Sequence, residues 1–345
     1  MTAVDVWLTG PLETAAMRAT ELASIGVDGV FTFENAHDVF LPLAFAAPSG
    51  LDLMTNVAIA FPRSPMHLAH AAWDLHALSG GRFRLGLGTQ VRAHIERRYG
   101  TAWSEPVERM RDTVLATKAI LTSWQERDRI DHHGRFWSHT LMTPAFDPGP
   151  NPHGMPPVLV GALGPRMTQM AAEVADGLLV MPFNSARHFR ERTVPAIERG
   201  LAASGRLALA PGSDFEVVAE VIVATGADLE AARRGVRGLL SFYGSTPAYK
   251  PVLDVEGWGD LQPELNTLSK QGRWADMATL VTDEMVDTIA VSGSPAECAA
   301  QIAARYPEAS RVCCYFPGYD ISDDVIGELA AAIRTAAAPA AAPPS

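Results

Sequence analysis

The chain is poor in cysteine and has no long hydrophobic run. Its 345 residues include only Cys298, Cys313 and Cys314, and the last two lie together in an apolar, strand-like stretch. So few thiols argue against a disulfide framework. The longest apolar runs are too short to cross a bilayer, and the N-terminus enters a strand pattern without a preceding signal peptide. We therefore expect a cytoplasmic protein with no membrane partner.

Positive charge is scarce, and several common catalytic motifs are missing. The 28 Lys and Arg residues face 39 Asp and Glu residues, and the net charge of -11 argues against a nucleic-acid partner. No G-x-S-x-G elbow or Walker sequence occurs, and Thr9-Gly10-Pro11 is not a dinucleotide-binding fingerprint. His132 and His133 lack further ligands at metal-site spacing, so no metal is expected. These exclusions leave a small-molecule substrate as the expected partner.

What the chain does contain is a regular alternation of strand and helix patterns. Hydrophobic residues make up 48% of it, enough for a large core. Strand patterns occur at 4–8, 27–33, 51–61, 80–90, 157–163, 177–183, 215–224 and 311–316. Helical patterns separate nearly all of these strands, and Ser294, Pro295 and Glu297 have the spacing of a capped helix start. The α/β alternation predicts a (β/α)8 TIM barrel with an insertion after strand seven and its helix.

The domain organisation follows from composition. We predict one barrel over 1–337 and a disordered Ala/Pro-rich tail over 338–345. Residues 244–282 are rich in Pro, Gly and Trp and form the predicted insertion. Its aromatic residues suggest a substrate lid, and a packing flap or a homodimer contact are the alternatives. The connection over 125–155 is long enough to suggest a functional loop.

The stretch 80–90 combines a turn, a short buried strand and an abrupt opening. Phe83, Leu85 and Leu87 alternate with Arg84, Gly86 and Gly88. Small residues suit a strand whose backbone approaches something closely. Two explanations stay open at this point: a neighbouring element of the barrel, or a flat ligand.

The carboxyl ends of barrel strands form the usual active site, so they supply the candidates. After strand five, Gly161, Ala162 and Gly164 flank a turn, and Pro165 and Arg166 start a helix. The free N–H groups of a helix N-terminus receive a phosphate readily. The alternative is a plain βα turn with a capping role.

Two further groups carry charge near strand ends. Arg92, Arg97 and Arg98 form a cationic cluster that could hold an anionic tail, or a solvated face partly paired with Glu96. His37, which follows strand two, is the best acid–base candidate because imidazole titrates near neutrality. The alternative for His37 is a hydrogen bond to its own loop.

Several motifs together resemble the bacterial luciferase-like superfamily. They are Ala58-Ile59-Ala60-Phe61-Pro62-Arg63, Leu78-Ser79-Gly80-Gly81-Arg82-Phe83, Gly161-Ala162 with Gly164-Pro165-Arg166-Met167, and Ala175-Asp176-Gly177. The run Phe242-Tyr243-Gly244-Ser245-Thr246-Pro247 resembles the branch of F420-dependent oxidoreductases. The resemblance spans about residues 4–335. It implies barrel enzymes that use FMN or the deazaflavin coenzyme F420.

The resemblance also implies roles for particular residues. A non-prolyl cis peptide at Asn56–Val57 would support the deazaflavin from behind. Gly88, Thr89 and Gln90 would face the ring or its phosphodiester, and the turn 161–166 would take the phosphate. The cationic cluster would suit the acidic glutamyl tail of F420, which FMN lacks.

Two departures from the pattern affect the expected chemistry. Several relatives have an acidic residue followed by His after strand two, whereas this chain reads Glu34-Asn35 and then His37. Val91 stands where some sugar-phosphate-oxidising relatives have a glutamate. The resemblance implies an F420-dependent oxidoreductase with His37 and Glu34 handling the proton. The alternatives are an FMN-dependent monooxygenase and a non-catalytic flavin-binding relative.

Overall fold

The computed structural model describes residues 2–210 and 213–336, so the predicted tail at 338–345 lies outside the described residues. Eight parallel strands form a barrel, numbered here from one to eight along the chain: Ala3–Trp7, Gly29–Thr32, Asp52–Thr55, Phe83–Gly88, Val158–Ala162, Gly177–Val180, Glu216–Ala224 and Arg311–Tyr315. Strand seven pairs with strands six and eight, and strand eight pairs with strand one, which closes the sheet. The predicted (β/α)8 barrel is confirmed.

Helices alternate with the strands and cover the outside of the barrel. They are Ala15–Ser24, Leu41–Ala46, Pro65–Leu78, Arg92–Arg97, Pro106–Glu126, Pro165–Val174, Ala186–His188, Val194–Ala203, Leu229–Gly244, Lys250–Glu256, Leu261–Lys270, Trp274–Thr279, Asp283–Ile289, Pro295–Arg305 and Asp323–Ala336. A π-helical segment, Phe189–Thr193, joins two of them. The predicted cap is confirmed, because Ser294 and Glu297 form a reciprocal capping box. No helix within the described ranges combines the length and apolarity needed to cross a membrane.

The long connection before strand five folds onto the helix that precedes it. It contains a small hairpin, His132–His133 with Ser138–His139. The buried Asp112 carboxylate of helix Pro106–Glu126 accepts hydrogen bonds from His132 Nε2 at 2.9 Å and from the Trp137 amide at 3.0 Å. This carboxylate therefore anchors the hairpin on the outer helix, and a functional role for the connection stays a prediction.

The predicted insertion is helical and sits on the carboxyl ends of strands five to seven. Its apolar residues form one cluster with the strand-end residues Leu163, Phe183 and Ile222. The sequence suggested Leu229–Gly244 as the helix of strand seven. This helix packs with the insertion helices, and its buried residues Ala232, Val236 and Leu240 belong to the same cluster. The bounds of the insertion, 244–282, stay a prediction, and helix Pro295–Arg305 packs against the last helix in the outer ring.

The barrel interior is layered by the two-residue period of its strands. A middle layer is apolar and consists of Phe31, Met54, Leu159, Leu179, Val218 and Cys313. Two residues towards the N-terminal ends of the strands lies a lower layer of charged side chains: Asp5, Asp52, Arg84, Glu216 and Arg311. Two residues towards the carboxyl ends lies an upper layer that forms the barrel mouth and includes Phe33, Asn56, Glu220 and Tyr315. Trp7, which is in register with Phe31, packs against Phe33 and Tyr315 from below.

The lower layer is a compact ion network around Arg311. The guanidinium, whose side chain is 5% exposed, pairs with Asp5 and Asp52 and lies 3.6 Å from Glu216. Arg84 bridges Asp52 at 3.2 Å and Glu216 at 3.0 Å. Burial raises the pKa of Asp5 to about 6 despite the attraction of Arg311. Each carboxylate of this layer therefore has a cationic partner.

Gly86 allows strand four to approach the end of strand three. Its amide donates to Thr55 Oγ1 at 2.9 Å, and this hydroxyl donates back to the Gly86 carbonyl at 2.8 Å. A Cβ atom on Gly86 would lie 1.9 Å from the Thr55 carbonyl oxygen and 2.5 Å from Leu179. Of the two explanations for the glycine-rich strand, the neighbouring element accounts for Gly86.

Replacing Arg311 by Met is expected to lower the free energy of unfolding by about 3–5 kcal/mol, because it leaves the buried Asp5 carboxylate without its cation while Asp52 and Glu216 keep Arg84. Urea unfolding followed by circular dichroism measures this change. Arg187→Met is the matched control, because it breaks an exposed Arg187–Glu191 pair and should leave stability unchanged. Equal stability of wild type and Arg311→Met would contradict the role given to the network.

Replacing Gly86 by Ala is expected to destabilise the protein by about 1–3 kcal/mol or more, because the added methyl group collides with backbone. The matched control is Gly238→Ala in the exposed part of helix Leu229–Gly244, where an added Cβ meets nothing within 4 Å. That change should stabilise slightly, since Ala favours a helix over Gly. Thermal unfolding of both variants gives the comparison, and a neutral Gly86→Ala would refute the close approach.

Candidate active site

The end of strand three shapes one wall of the barrel mouth. The Asn56–Val57 peptide bond is cis, as the resemblance implied. After it the chain resumes pairing with strand four at Ala58–Ile59. Val57 is partly exposed, and its side chain is directed at two glycines: added Cβ atoms would lie 2.4 Å from it at Gly88 and 3.0 Å at Gly161. Three neighbouring strands therefore present a smooth apolar wall without projecting side chains.

The residues that follow strand four hold a tight turn beside this wall. Gln90 has a φ of +59°, an uncommon conformation for a residue other than glycine. Its side-chain oxygen accepts from the Val91 amide at 2.9 Å, and the Thr89 hydroxyl donates to its carbonyl at 3.0 Å. Backbone strain of this kind is concentrated at functional sites. Thr89 and Gln90 thus occupy the predicted position, and their contact with a cofactor stays a prediction.

The turn after strand five leaves a helix N-terminus open. Helix Pro165–Val174 begins after Gly164, which has extended backbone and no side-chain cap. A Cβ atom on Gly164 would meet nothing within 4 Å, and Arg166 is exposed. The first N–H groups of this helix are therefore uncapped by a side chain, next to Gly161 and Ala162 of the apolar wall. Gly164 is also the N-cap, since its carbonyl accepts from the Thr168 amide at 3.0 Å, so the phosphate and capping roles both stay predictions.

The cationic cluster divides into paired and unpaired members. Arg92 is paired with Glu96 at 2.9 Å, in agreement with the solvated-face alternative. Arg98 donates to the Asn35 carbonyl at 2.6 Å and lies over the Tyr99 ring at 5.1 Å. Arg97 is exposed and makes no hydrogen bond or ion pair with any residue in the described ranges. The side chain of Arg97 is therefore unpaired in this part of the chain, and its contact with an anionic tail stays a prediction.

Glu34 and His37 are not brought together. The Glu34 carboxylate, whose side chain is 8% exposed, forms a bidentate pair with Arg63 and accepts from the Ile59 amide at 2.9 Å. Tyr99 donates to its other oxygen at 3.1 Å. His37 is exposed, and within the described ranges its ring makes no hydrogen bond. These contacts make Glu34 an anchor of the segment after the cis bond, and a proton-transfer role for His37 stays a prediction.

Glu220 is a mouth residue that the sequence analysis missed. It lies on strand seven, is 7% exposed, and accepts a hydrogen bond from Asn56 Nδ2 at 3.1 Å. Burial raises the pKa of Glu220 to about 8, and the Asn56 hydrogen bond opposes this shift only in part. The signal in the sequence was an acidic residue inside an otherwise apolar run, 217–224.

Aromatic side chains surround Glu220 on two sides. Trp7, Phe33 and Tyr315 form one group, with ring centroids 4.7 to 5.9 Å apart. Phe183 forms a second group with Tyr243 and Tyr249 of the insertion, at 5.9 and 6.3 Å. We call these two aromatic groups, together with the Glu220 carboxyl group and the Asn56 amide, the aromatic chamber. Among the described residues no cluster of three or more His, Cys, Asp or Glu side chains could hold a metal ion.

The residues of the mouth fit a flat cofactor that carries a phosphate. The Val57 wall is free of side chains at Gly88 and Gly161 and can lie against a planar ring. The uncapped helix N-terminus at Gly164 adjoins this wall and has the polarity that a phosphate requires.

Comparison with known proteins agrees with this geometry. The chain is 48% identical over 295 residues to an uncharacterized protein of Mycobacterium tuberculosis, covering 84% of this chain and 86% of the relative. It is 32% identical over 241 residues to the 5,10-methylenetetrahydromethanopterin reductase of Archaeoglobus fulgidus, covering 67% and 66%. The solved coenzyme F420-dependent tetrahydromethanopterin reductase of Methanopyrus kandleri has the same fold, with a TM-score of 0.78, 18% identity and 96% coverage of both chains.

The family comparison confirms the resemblance found in the sequence. The model for the luciferase-like monooxygenase family matches residues 3–311. That range includes all the barrel strands up to the start of strand eight, and every residue of the mouth described above except Tyr315. The chain therefore belongs to the luciferase-like monooxygenase family.

Proposed function

We propose that this protein is an F420-dependent oxidoreductase that transfers a hydride between the deazaflavin and a small organic substrate. The observation that carries the proposal is the smooth Val57 wall leading to the uncapped helix N-terminus at Gly164. Similarity to the Archaeoglobus fulgidus reductase supports a hydride-transfer role over a monooxygenase role.

The chain's own residues would bind and orient the cofactor. Bound F420 would supply hydride chemistry at its ring, and the barrel supplies position and polarity. Val57, whose side chain packs over Gly88 and Gly161, would support one face of the ring. The turn 161–166 would take the phosphate, and Arg97 is placed to meet an acidic tail.

Glu34 contributes by position in this proposal. Its bond to the Ile59 amide fixes the chain directly after Asn56–Val57, and its bidentate pair with Arg63 holds the carboxylate in place. The exposed His37 would act on the proton only if substrate binding draws the loop over the mouth. An FMN-dependent monooxygenase is the second candidate, since the same wall and helix N-terminus fit a flavin phosphate. A non-catalytic flavin-binding protein is the third.

Fluorescence titration of the purified protein with F420 and, separately, with FMN tests the proposal. We expect F420 to bind at least tenfold more tightly, about 1.4 kcal/mol, because only F420 carries the acidic tail. Tighter binding of FMN would favour the monooxygenase. Binding of neither would remove the cofactor-dependent function, and tight F420 binding without turnover of ketones, alcohols or imines would favour the non-catalytic relative.

Replacing Arg97 by Ala is expected to weaken F420 binding several-fold at low salt and to leave FMN binding unchanged. The reason is the loss of one screened charge contact to the acidic tail. Arg199→Ala is the matched control, because Arg199 is also exposed but lies on helix Val194–Ala203, outside the mouth. Equal loss in both variants would show a general charge effect, and no loss in Arg97→Ala would remove Arg97 from the site.

A further inference from the structure

The buried acidic residues of the barrel interior differ in whether they have a cationic partner. In the lower layer, Asp5, Asp52 and Glu216 all face the guanidinium groups of Arg84 or Arg311. In the upper layer, Glu220 is 7% exposed and has no Lys, Arg or His partner within the described ranges. A buried carboxylate without a cation is costly, so a carboxyl group in this position is held in its neutral form.

The groups that face Glu220 reinforce its neutral form. Strand three contributes Asn56, and strand eight contributes Cys313 and Tyr315. The insertion side contributes Tyr243 and Tyr249. These thiol and phenol groups are uncharged at neutral pH, so none of them supplies a positive charge that would stabilise the Glu220 carboxylate. Burial, and to a smaller extent the ionised form of Glu220, raises the pKa of Tyr249 to about 12.

Resting on the proposed function, we propose that Glu220 is the proton-carrying catalytic residue of the site and that it acts on an apolar substrate with a polarised C=O or C=N bond. Its carboxyl group lies at the base of the aromatic chamber and accepts a hydrogen bond from Asn56. Asn56 directly precedes Val57, whose side chain forms the apolar wall. The acid and the ring-binding wall are thereby joined by one hydrogen bond. Nothing in the sequence motifs assigns this role to strand seven.

The proposed step balances in protons and electrons. Reduction of a C=O or C=N bond requires a hydride at carbon, supplied by the reduced deazaflavin, and one proton at oxygen or nitrogen. Glu220 gives that proton by breaking its carboxyl O–H bond, becomes a carboxylate, and regains a proton from water before the next cycle. In the oxidative direction the carboxylate accepts the proton of an alcohol or amine.

The aromatic walls define the substrate class. Trp7, Phe33 and Tyr315 on one side and Tyr243 and Tyr249 on the other offer ring faces and edges. In the described ranges the Tyr hydroxyls of this chamber form no hydrogen bond with another residue. A flat, uncharged substrate such as an aryl ketone or a cyclic imine matches this surface better than a phosphorylated sugar.

The first test measures the proton on Glu220 without any cofactor. A folded pKa raised from 4.5 to about 8 means that the stability linked to this group is present at low pH and lost as pH rises towards 8. Glu220→Gln mimics the neutral form, so its melting temperature should match the wild type near pH 5, exceed it by a growing margin as the pH rises to about 8, and keep a constant margin above that pH. Exposed Glu264→Gln is the matched control and should show no such pH-dependent gap.

The second test measures catalysis on a panel of aryl ketones and cyclic imines with reduced F420. Glu220→Gln should lower kcat about 100-fold or more while leaving the Kd for F420 within twofold, because a general acid contributes to the chemical step alone. The fall in wild-type kcat at high pH should be absent from the variant's residual rate. Glu264→Gln should behave as the wild type.

The outcomes separate this inference from the proposed function. A constant melting-temperature difference from pH 5 to 9, or an unchanged kcat in Glu220→Gln, would overturn the role of Glu220. Loss of the high-pH limb in His37→Ala instead of Glu220→Gln would transfer the role to His37. Failure of the wild type to bind F420 would overturn the proposed function, while the melting series would still report whether Glu220 carries the proton.

Discussion

Compensation of buried charge is the constraint on which the interior of this barrel depends. A side chain directed inwards from a barrel strand leaves water, so an ionised group there needs a partner. At the N-terminal ends of the strands, Arg311 and Arg84 supply the partners for three carboxylates drawn from strands far apart in the chain. At the mouth, Glu220 has only an amide. The barrel interior therefore has an ion network that connects the strands at its N-terminal end and a neutral carboxyl group at its mouth, where it can take part in chemistry.

The apolar middle layer keeps these two ends separate. Phe31, Met54, Leu159, Leu179 and Val218 fill the space between them, and Gly86 lets strand four close in on the end of strand three. Dense packing of this kind excludes water from the barrel axis. The cations of the lower layer are consequently too far along the strands to pair with Glu220. The packing of the middle layer therefore helps to keep the Glu220 carboxyl group protonated.

The sequence predicted the features that depend on local pattern. Strand period, helix caps and turn glycines lie within a few residues of one another, so the eight strands and the Ser294 cap could be read directly, and the resemblance added the Asn56–Val57 cis bond. Prediction from the sequence did not identify contacts between residues that are distant along the chain. Glu34 was taken as a partner of His37, because Arg63 and Tyr99 lie 29 and 65 residues away. Glu220 was hidden for the same reason, since Asn56 lies 164 residues before it. Helix Leu229–Gly244 buries one helical face, with Ala232, Val236 and Leu240, but its period could not show that insertion helices cover that face.

The division of the mouth between barrel and insertion has a consequence for specificity. Glu220 lies on strand seven, which is paired on both sides, and Asn56 directly follows strand three, where its amide donates to the Thr32 carbonyl at 2.7 Å. Tyr249, in contrast, lies in the insertion, and Tyr243 lies at the end of the helix that packs with it. Substitutions in the insertion can therefore reshape the chamber without moving the acid relative to the wall. The same tyrosines also shield Glu220 from water, so the insertion affects both the substrate fit and the acidity of the carboxyl group. A larger or more polar insertion would admit water and lower the pKa of Glu220, which links the choice of substrate to the strength of the acid.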